Sequence, residues 1–207
     1  MKTSVYVDGF NLYYGALKAT LYRWLNLGHL CQITLKGYDI NHIRYFTARV
    51  QSRPDHPLQT QKQQAYLRAL ATIPGLTIHY GHFLSNTTRM PLADPRPGGP
   101  KTVKVIKTEE KGSDVNIATY LLRDGFKGDY ETAVVISNDS DLVEPIRMVR
   151  KELGLDVGVL NPHKNISWAL KKNASFYRPL RRGALAGSQF PDSITDAKGE
   201  ITKPANW

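Results

Sequence analysis

Thr132-Ala-Val-Val-Ile-Ser-Asn-Asp-Ser-Asp-Leu-Val-Glu-Pro145 decides the fold. Ala133 to Ile136 are apolar, β-branched in the main and without polar alternation, as expected of a central parallel strand covered on both faces. Five polar residues follow at once, Ser137 to Asp141. Leu142, Val143, Ile146 and Val149 then recur at helical spacing, with Pro145 in the first turn, where proline is tolerated. Asp139 and Asp141 therefore sit where a buried strand gives way to a helix. In open α/β sheets, ligands bind at the carboxyl ends of the strands.

Working outward, Thr3 to Val7 reads as a second short strand, ending at Asp8-Gly9-Phe10-Asn11. Gly9 permits a tight turn, and Leu12, Tyr13, Leu17 and Leu21 suit a following helix. Tyr22 to Ile40 reads as a helix-rich connection. Ile43 to Val50 alternates as a strand, followed by a loop marked by Pro54 and Pro57. Gln59 to Thr72 is a mostly polar helix stopped by Pro74-Gly75, and Leu76 to Leu84 returns as a strand. The strand–helix–strand rhythm predicts a parallel sheet with right-handed crossovers.

Asn86 to Pro100, with its prolines and glycines, interrupts that rhythm and reads as a long surface loop. Lys101 to Lys107 reads as an extended edge segment whose lysines discourage edge pairing. Ser113 is the expected cap of a helix with Asp114 and Asn116 in its first turn. Leu155 to Leu160 is one more strand and Ile166 to Lys172 a short helix. From Gly183 the composition predicts a loosely packed or disordered tail, 183–207, behind a domain spanning 1–182.

The chain has 207 residues, enough for one sizeable core. Its 28 Lys and Arg outweigh 18 Asp and Glu, and that net charge of +10 favours an anionic partner, nucleic acid first. One cysteine, Cys31, excludes an internal disulfide framework or a cysteine-rich zinc site. No run reaches the roughly 20 apolar residues of a membrane span, and the expectation is a soluble cytoplasmic protein. Oligomeric state is open, a homodimer included.

Asp8, Asp114, Asp139 and Asp141 all stand at element junctions. If the strands before Asp8 and Asp139 are neighbours, their carboxylates share one sheet edge, and crowded acids raise one another's pKa unless a cation intervenes. Mg²⁺ or Mn²⁺, a hard cation with oxygen ligands, suits such a set. His79 and His82, three apart on a strand, fall on opposite faces and suit packing or surface roles.

Three stretches also carry a resemblance: Tyr6-Val-Asp-Gly-Phe-Asn-Leu12, Lys111-Gly-Ser-Asp-Val-Asn-Ile-Ala118 and Val135-Ile-Ser-Asn-Asp-Ser-Asp-Leu142. In order and type they resemble the signatures of the NYN domain, of the PIN-like ribonuclease superfamily, over about residues 3–180. The resemblance implies a Rossmann-like three-layer α/β sandwich with a mainly parallel central sheet. It also implies Mg²⁺- or Mn²⁺-dependent hydrolysis of single-stranded or flexible RNA. Asp8, Asp114 and Asp139 would be the metal set, Asp141 a fourth acid or outer group, and Asn11 and Ser137 would orient water or phosphate. Asn138 stands where many relatives have a small residue, and Leu142 where phenylalanine is common.

Between Arg147 and Arg182 lie nine basic residues and two acids, with Trp168, Phe176 and Tyr177 among them. That mixture suits a phosphate backbone and stacked bases. Arg147, Lys164, Lys171, Lys172 and Arg178 are the candidate RNA contacts, with Lys111 beside Asp114. A non-catalytic RNA-binding module is the alternative from another class. A topoisomerase–primase domain would want a glutamate where Asp8 stands, and a haloacid-dehalogenase phosphatase an Asp-x-Asp after the first strand.

Overall fold

The computed structural model describes residues 1–52, 56–205 and 207. Its centre is β5 (Thr132–Ile136), five consecutive buried residues, paired in parallel with β1 (Lys2–Asp8) through Val5–Val134 and Val7–Ile136. The continuous apolar run forms a strand here because both faces are covered. Val134 and Ile136 pack on one side of the sheet, Ala133 and Val135 on the other. Burying each such side chain contributes roughly 1.5–3 kcal/mol.

On the other flank of β1 run β2 (Asp39–Ala48), β3 (Leu76–Pro91) and β4 (Thr102–Lys111). Beyond β5 lie β6 (Asp156–Asn161) and β7 (Phe176–Pro179), the latter not expected from the sequence. The order is β4-β3-β2-β1-β5-β6-β7, parallel throughout except for the antiparallel β3–β4 pair. The chain leaves β1 toward one edge and returns to β5 on the opposite flank. The β1–β5 boundary is thus the topological switch point, where such sheets open a crevice.

Two helical layers complete the sandwich. One holds α1 (Gly9–Leu12) with its π-turn (Tyr13–Leu17), α2 (Leu27–Thr34) and α3 (Gln59–Ala71), packed around Trp24, Leu30 and Leu70. The other holds α4 (Ser113–Phe126), a 3₁₀ turn (Ser140–Leu142), α5 (Val143–Glu152) and α6 (Trp168–Asn173), packed through Ile117, Leu121, Ile146 and Leu170. Among the described residues no helix is long and apolar enough to cross a membrane.

Four expectations need correction. The segment from Asn86 is no loop: β3 continues to Pro91 and pairs with β4 from His82–Lys111 out to Pro91–Thr102, confining the turn to 92–101. Both faces of this ribbon meet solvent, so no apolar alternation marked it. The helix after Asp8 ends at Leu17, leaving Leu21 80% exposed. Ser113 begins α4 instead of capping it; Gly112, at φ +103, holds the cap position. Residues beyond 182 form α7 (Arg182–Gly187) and a hairpin of β8 (Ser193–Asp196) and β9 (Gly199–Thr202). A few well-placed apolar groups suffice for this packing. Leu185, Phe190 and Ile201 are buried, and Trp207 stacks near Trp24 and Tyr66. Arg68 on α3 grips Asp196 with two hydrogen bonds of 3.0 and 2.7 Å. The expected Pro54 loop lies outside the described residues; β4 is the sheet's edge strand, lysines included.

Candidate metal centre and nucleic-acid interface

Asp8 ends β1 and caps the first turn of α1, its Oδ1 accepting the Asn11 amide at 2.9 Å. The turn lies hard against β2. A Cβ on Gly9 would come 2.6 Å from the Phe46 carbonyl oxygen, so glycine serves close approach here, not an unusual φ. Across the switch point, Ser137 Oγ donates to Asp8 Oδ2 at 3.0 Å and accepts the Asp139 amide at 3.1 Å. One hydroxyl thus links both acids. Ser137 is fully buried, its hydroxyl held between the Asp8 carboxylate and the Asp139 backbone amide. Asn11 Oδ1 accepts the Asn138 amide at 2.9 Å, tying α1 to the loop after β5.

Asp8, Asp114 and Asp139 line one cavity of about 220 Å³, joined by Glu110 at the end of β4. Its walls also include Phe10, Asn11, Tyr14, Ser113 and His163. Glu110 was not singled out in the sequence. Its signal is position, the last acid before the Lys111-Gly-Ser-Asp114 turn and opposite Phe83 on β3. It accepts Ser113 Oγ at 2.9 Å, and Phe83 in turn packs edge-on against Phe10 at 5.6 Å. Phe10 and Tyr14 are four apart on one helical face, a readable spacing; His163 had no sequence signal. Asp141 does not line the cavity. It is exposed, and its amide donates to Asp139 Oδ1 at 3.0 Å.

Burial pushes the Asp8 carboxyl up to about 6; the Asn11 and Ser137 hydrogen bonds oppose this, and the nearby Asp114 and Asp139 charges add to it. Asp114 is raised by burial and then by the charges of Asp139, Glu110 and Asp141. The crowding of acids expected from the sequence exists, but desolvation outweighs repulsion as its cause. Among the described residues no lysine or arginine lines the cavity to balance these acids. An all-oxygen, cation-deficient donor set fits a hard divalent ion. Among the described residues, however, no three acidic, histidine or cysteine side chains are gathered tightly enough to hold an ion by themselves. Mg²⁺ usually keeps several of its waters and takes only one or two carboxylates directly.

The sign of the Asp8 shift makes a prediction. A folded-state value raised above the unfolded one favours folding of the protonated form, so the stability is present at low pH and lost as pH rises through about 6. In EDTA, Asp8→Asn should therefore stabilise the protein at pH 8 by roughly 2–3 kcal/mol, the gain shrinking as pH falls from 6 toward 4. Urea denaturation across that range measures it; a pH-independent difference contradicts the assignment.

The candidate RNA contacts are unequally available. Arg147 is held by Glu144 through hydrogen bonds of 2.9 and 2.6 Å, and Lys111 pairs with Glu109 at 3.4 Å. Lys171 lies 4.8 Å from the Trp168 ring centre and Arg178 4.6 Å from that of Phe176. Lys164 follows cavity-lining His163 and, like Lys172, is exposed.

Fold and site together define a Rossmann-like, three-layer α/β protein with an acidic crevice at its switch point. The NYN domain model matches residues 2–180, and the chain belongs to that family. It is 29% identical, over its whole length and 75% of the relative's, to 6-hydroxy-3-succinoylpyridine 3-monooxygenase HspA of Pseudomonas putida. A solved structure from Vibrio parahaemolyticus, of a protein of unknown function, shares the fold with a TM-score of 0.56 at 16% identity. That match covers 87% of this chain and 93% of the other.

Proposed function

We propose that this protein is a metal-dependent ribonuclease hydrolysing phosphodiester bonds of single-stranded or flexible RNA. The observation that carries the reading is the convergence of Asp8, Glu110, Asp114 and Asp139 on one cavity at the switch point. Asp8, Asp114 and Asp139, with Glu110 beside them, would hold Mg²⁺ or Mn²⁺. When bound, the ion would supply Lewis acidity to a phosphoryl oxygen and to the attacking water. The chain's own residues do the rest. Ser137 fixes the Asp8 carboxylate, and Asn11 fixes the loop that carries Asp139. Asp114, half-buried on the cavity wall, is placed to orient the attacking water, whose proton passes to solvent. Water adds to phosphorus in line, the bond to the 3′ oxygen breaks, and that oxygen takes a proton from solvent and leaves as a hydroxyl, with phosphate on the 5′ side.

Purified protein should cut end-labelled single-stranded RNA in Mg²⁺ or Mn²⁺ and stop in EDTA. Absence of cutting with either ion, despite RNA binding, would leave the non-catalytic RNA-binding module. Reversal of Lys171 and Lys172 to Glu should weaken RNA binding and flatten its salt dependence by about one to one and a half log units per log unit of salt. An unchanged slope removes those lysines from the footprint.

The HspA name favours a second reading, oxygenation of a small aromatic heterocycle. Against it, the carboxylate of a succinoyl substrate would enter a cavity already lined by four acids. Oxygen consumption with 6-hydroxy-3-succinoylpyridine, and no RNA cleavage, would decide for it.

A further inference from the structure

We propose that Trp168 is a stacking platform for an unpaired base of the RNA substrate, fixed beside the acidic cavity by Asn138. The inference rests on the ribonuclease reading for its location and names the substrate feature recognised. Trp168 is 70% exposed, whereas Trp24 is fully buried and Trp207 is packed against Trp24 and Tyr66. It begins α6 but does not anchor it; Leu170, 1% exposed, supplies the core contact. So large an aromatic surface left in water has no packing role in the fold.

Its position is held tightly. Asn138, the residue before Asp139, accepts the Ser167 amide at 3.1 Å and the Tyr177 hydroxyl at 2.7 Å. Its Nδ2 donates to the Asn165 carbonyl at 3.1 Å, and Asn161 Nδ2 donates to the same oxygen at 2.9 Å. Asn138 is thus bonded to Asn11 of the cavity on one side and to the residue preceding Trp168 on the other. This gives Asn138 a purpose: a positioning residue that couples the acidic loop to the aromatic one. α6 also packs against the 3₁₀ turn following Asp139.

The surroundings select the partner. From Asn161 to Arg178 there are four Lys or Arg and no Asp or Glu. Lys171 lies over the Trp168 ring, orienting it while keeping its ammonium near the stack. An exposed aromatic face beside a lysine, in a stretch with no acids, fits a polyanion with π-faces, and stacking on such a face is tolerant of base identity. A base in a duplex presents no free face, so the platform selects unpaired RNA.

The test is a binding titration in EDTA, where no cutting intervenes, with a ten-nucleotide oligoadenylate. Trp168 being the exposed indole, RNA should quench intrinsic fluorescence, and Trp168→Phe should lose the quench while binding within a few-fold of wild type. Trp168→Ala should raise the Kd at least about tenfold. It should change the affinity for an abasic strand of equal length, or for a duplex, far less. Equal loss on the abasic strand would mean a backbone contact and overturn the proposal. So would an unaltered Kd in Trp168→Ala, which would leave the ring to a protein partner. Because binding is read without metal, a protein that stacks RNA yet never cuts it sinks the nuclease reading alone. Cutting with Trp168 indifferent sinks the platform alone.

Discussion

Asp139→Asn is expected to lower RNA cleavage by roughly a thousandfold or more while leaving RNA binding equal or tighter, since charge stabilisation at the reacting centre is lost and repulsion of phosphate is relieved. The substitution is structurally mild. Asp139 Oδ1 accepts the Asp141 amide, and an asparagine oxygen can do the same; the Asp139 amide keeps its bond to Ser137. Asp141→Asn, at an exposed position off the cavity, should cost about tenfold or less, as outer groups do. Glu110→Gln should resemble Asp139→Asn more than Asp141→Asn, because Glu110 lines the cavity and Asp141 does not. Single-turnover cleavage with Mn²⁺, paired with binding in EDTA, gives both quantities. Wild-type cleavage by Asp139→Asn would expose a contaminating nuclease and remove this cavity as the site.

The contrast between Asp139 and Glu110 shows where the sequence was legible. A short, mainly β-branched apolar run closed at once by polar residues reads as a buried strand and its exit, so the β5 loop and its acids could be read directly. The adjacency of β1 and β5 was a conditional expectation, and the parallel register through Val5–Val134 meets that condition. Glu110 was hidden because its relation to the cavity depends on the cross-strand partner Phe83, and a ribbon solvated on both sides has no alternation to disclose its register. The C-terminal segment misled for a related reason. Its composition is that of a loop, yet Leu185, Phe190 and Ile201 cover the side of the core that holds Trp24. Average polarity does not register three correctly spaced anchors. Asn138 illustrates the limit at the site itself, since its side chain's partners lie 27 to 39 residues away and its amide's partner, Asn11, 127 away.

Asp124→Ala is expected to destabilise the fold by about 3–5 kcal/mol, the cost of leaving a buried charge without its partner. Asp124, near the end of α4, is 1% exposed and takes Arg44 Nε of β2 at 2.6 Å and the Tyr6 hydroxyl of β1 at 2.8 Å. Burial and the Asp124 charge hold the Tyr6 hydroxyl well above its usual pKa, so it remains a donor. Arg44 also lies 4.8 Å from the Tyr120 ring centre, and His79, stacked on Phe46, is lowered by burial and by the Arg44 charge. Truncation would strand a guanidinium only 13% exposed and orphan a buried phenol. For a chain of this size the loss corresponds to roughly 6–20 °C in Tm. Asp124→Asn, which keeps an acceptor but not the charge, should fall between. The double variant Arg44→Met, Asp124→Leu should recover only part of the stability, because an apolar pair incurs no desolvation penalty but leaves the buried Tyr6 hydroxyl without its acceptor. The same variants separate folding from function, since the clamp fixes the far end of the helix whose first turn presents Asp114. If the double variant is stable but cuts RNA slowly, the network orients α4 over the cavity as well as holding it down. If both stability and cleavage return, its contribution is to stability alone.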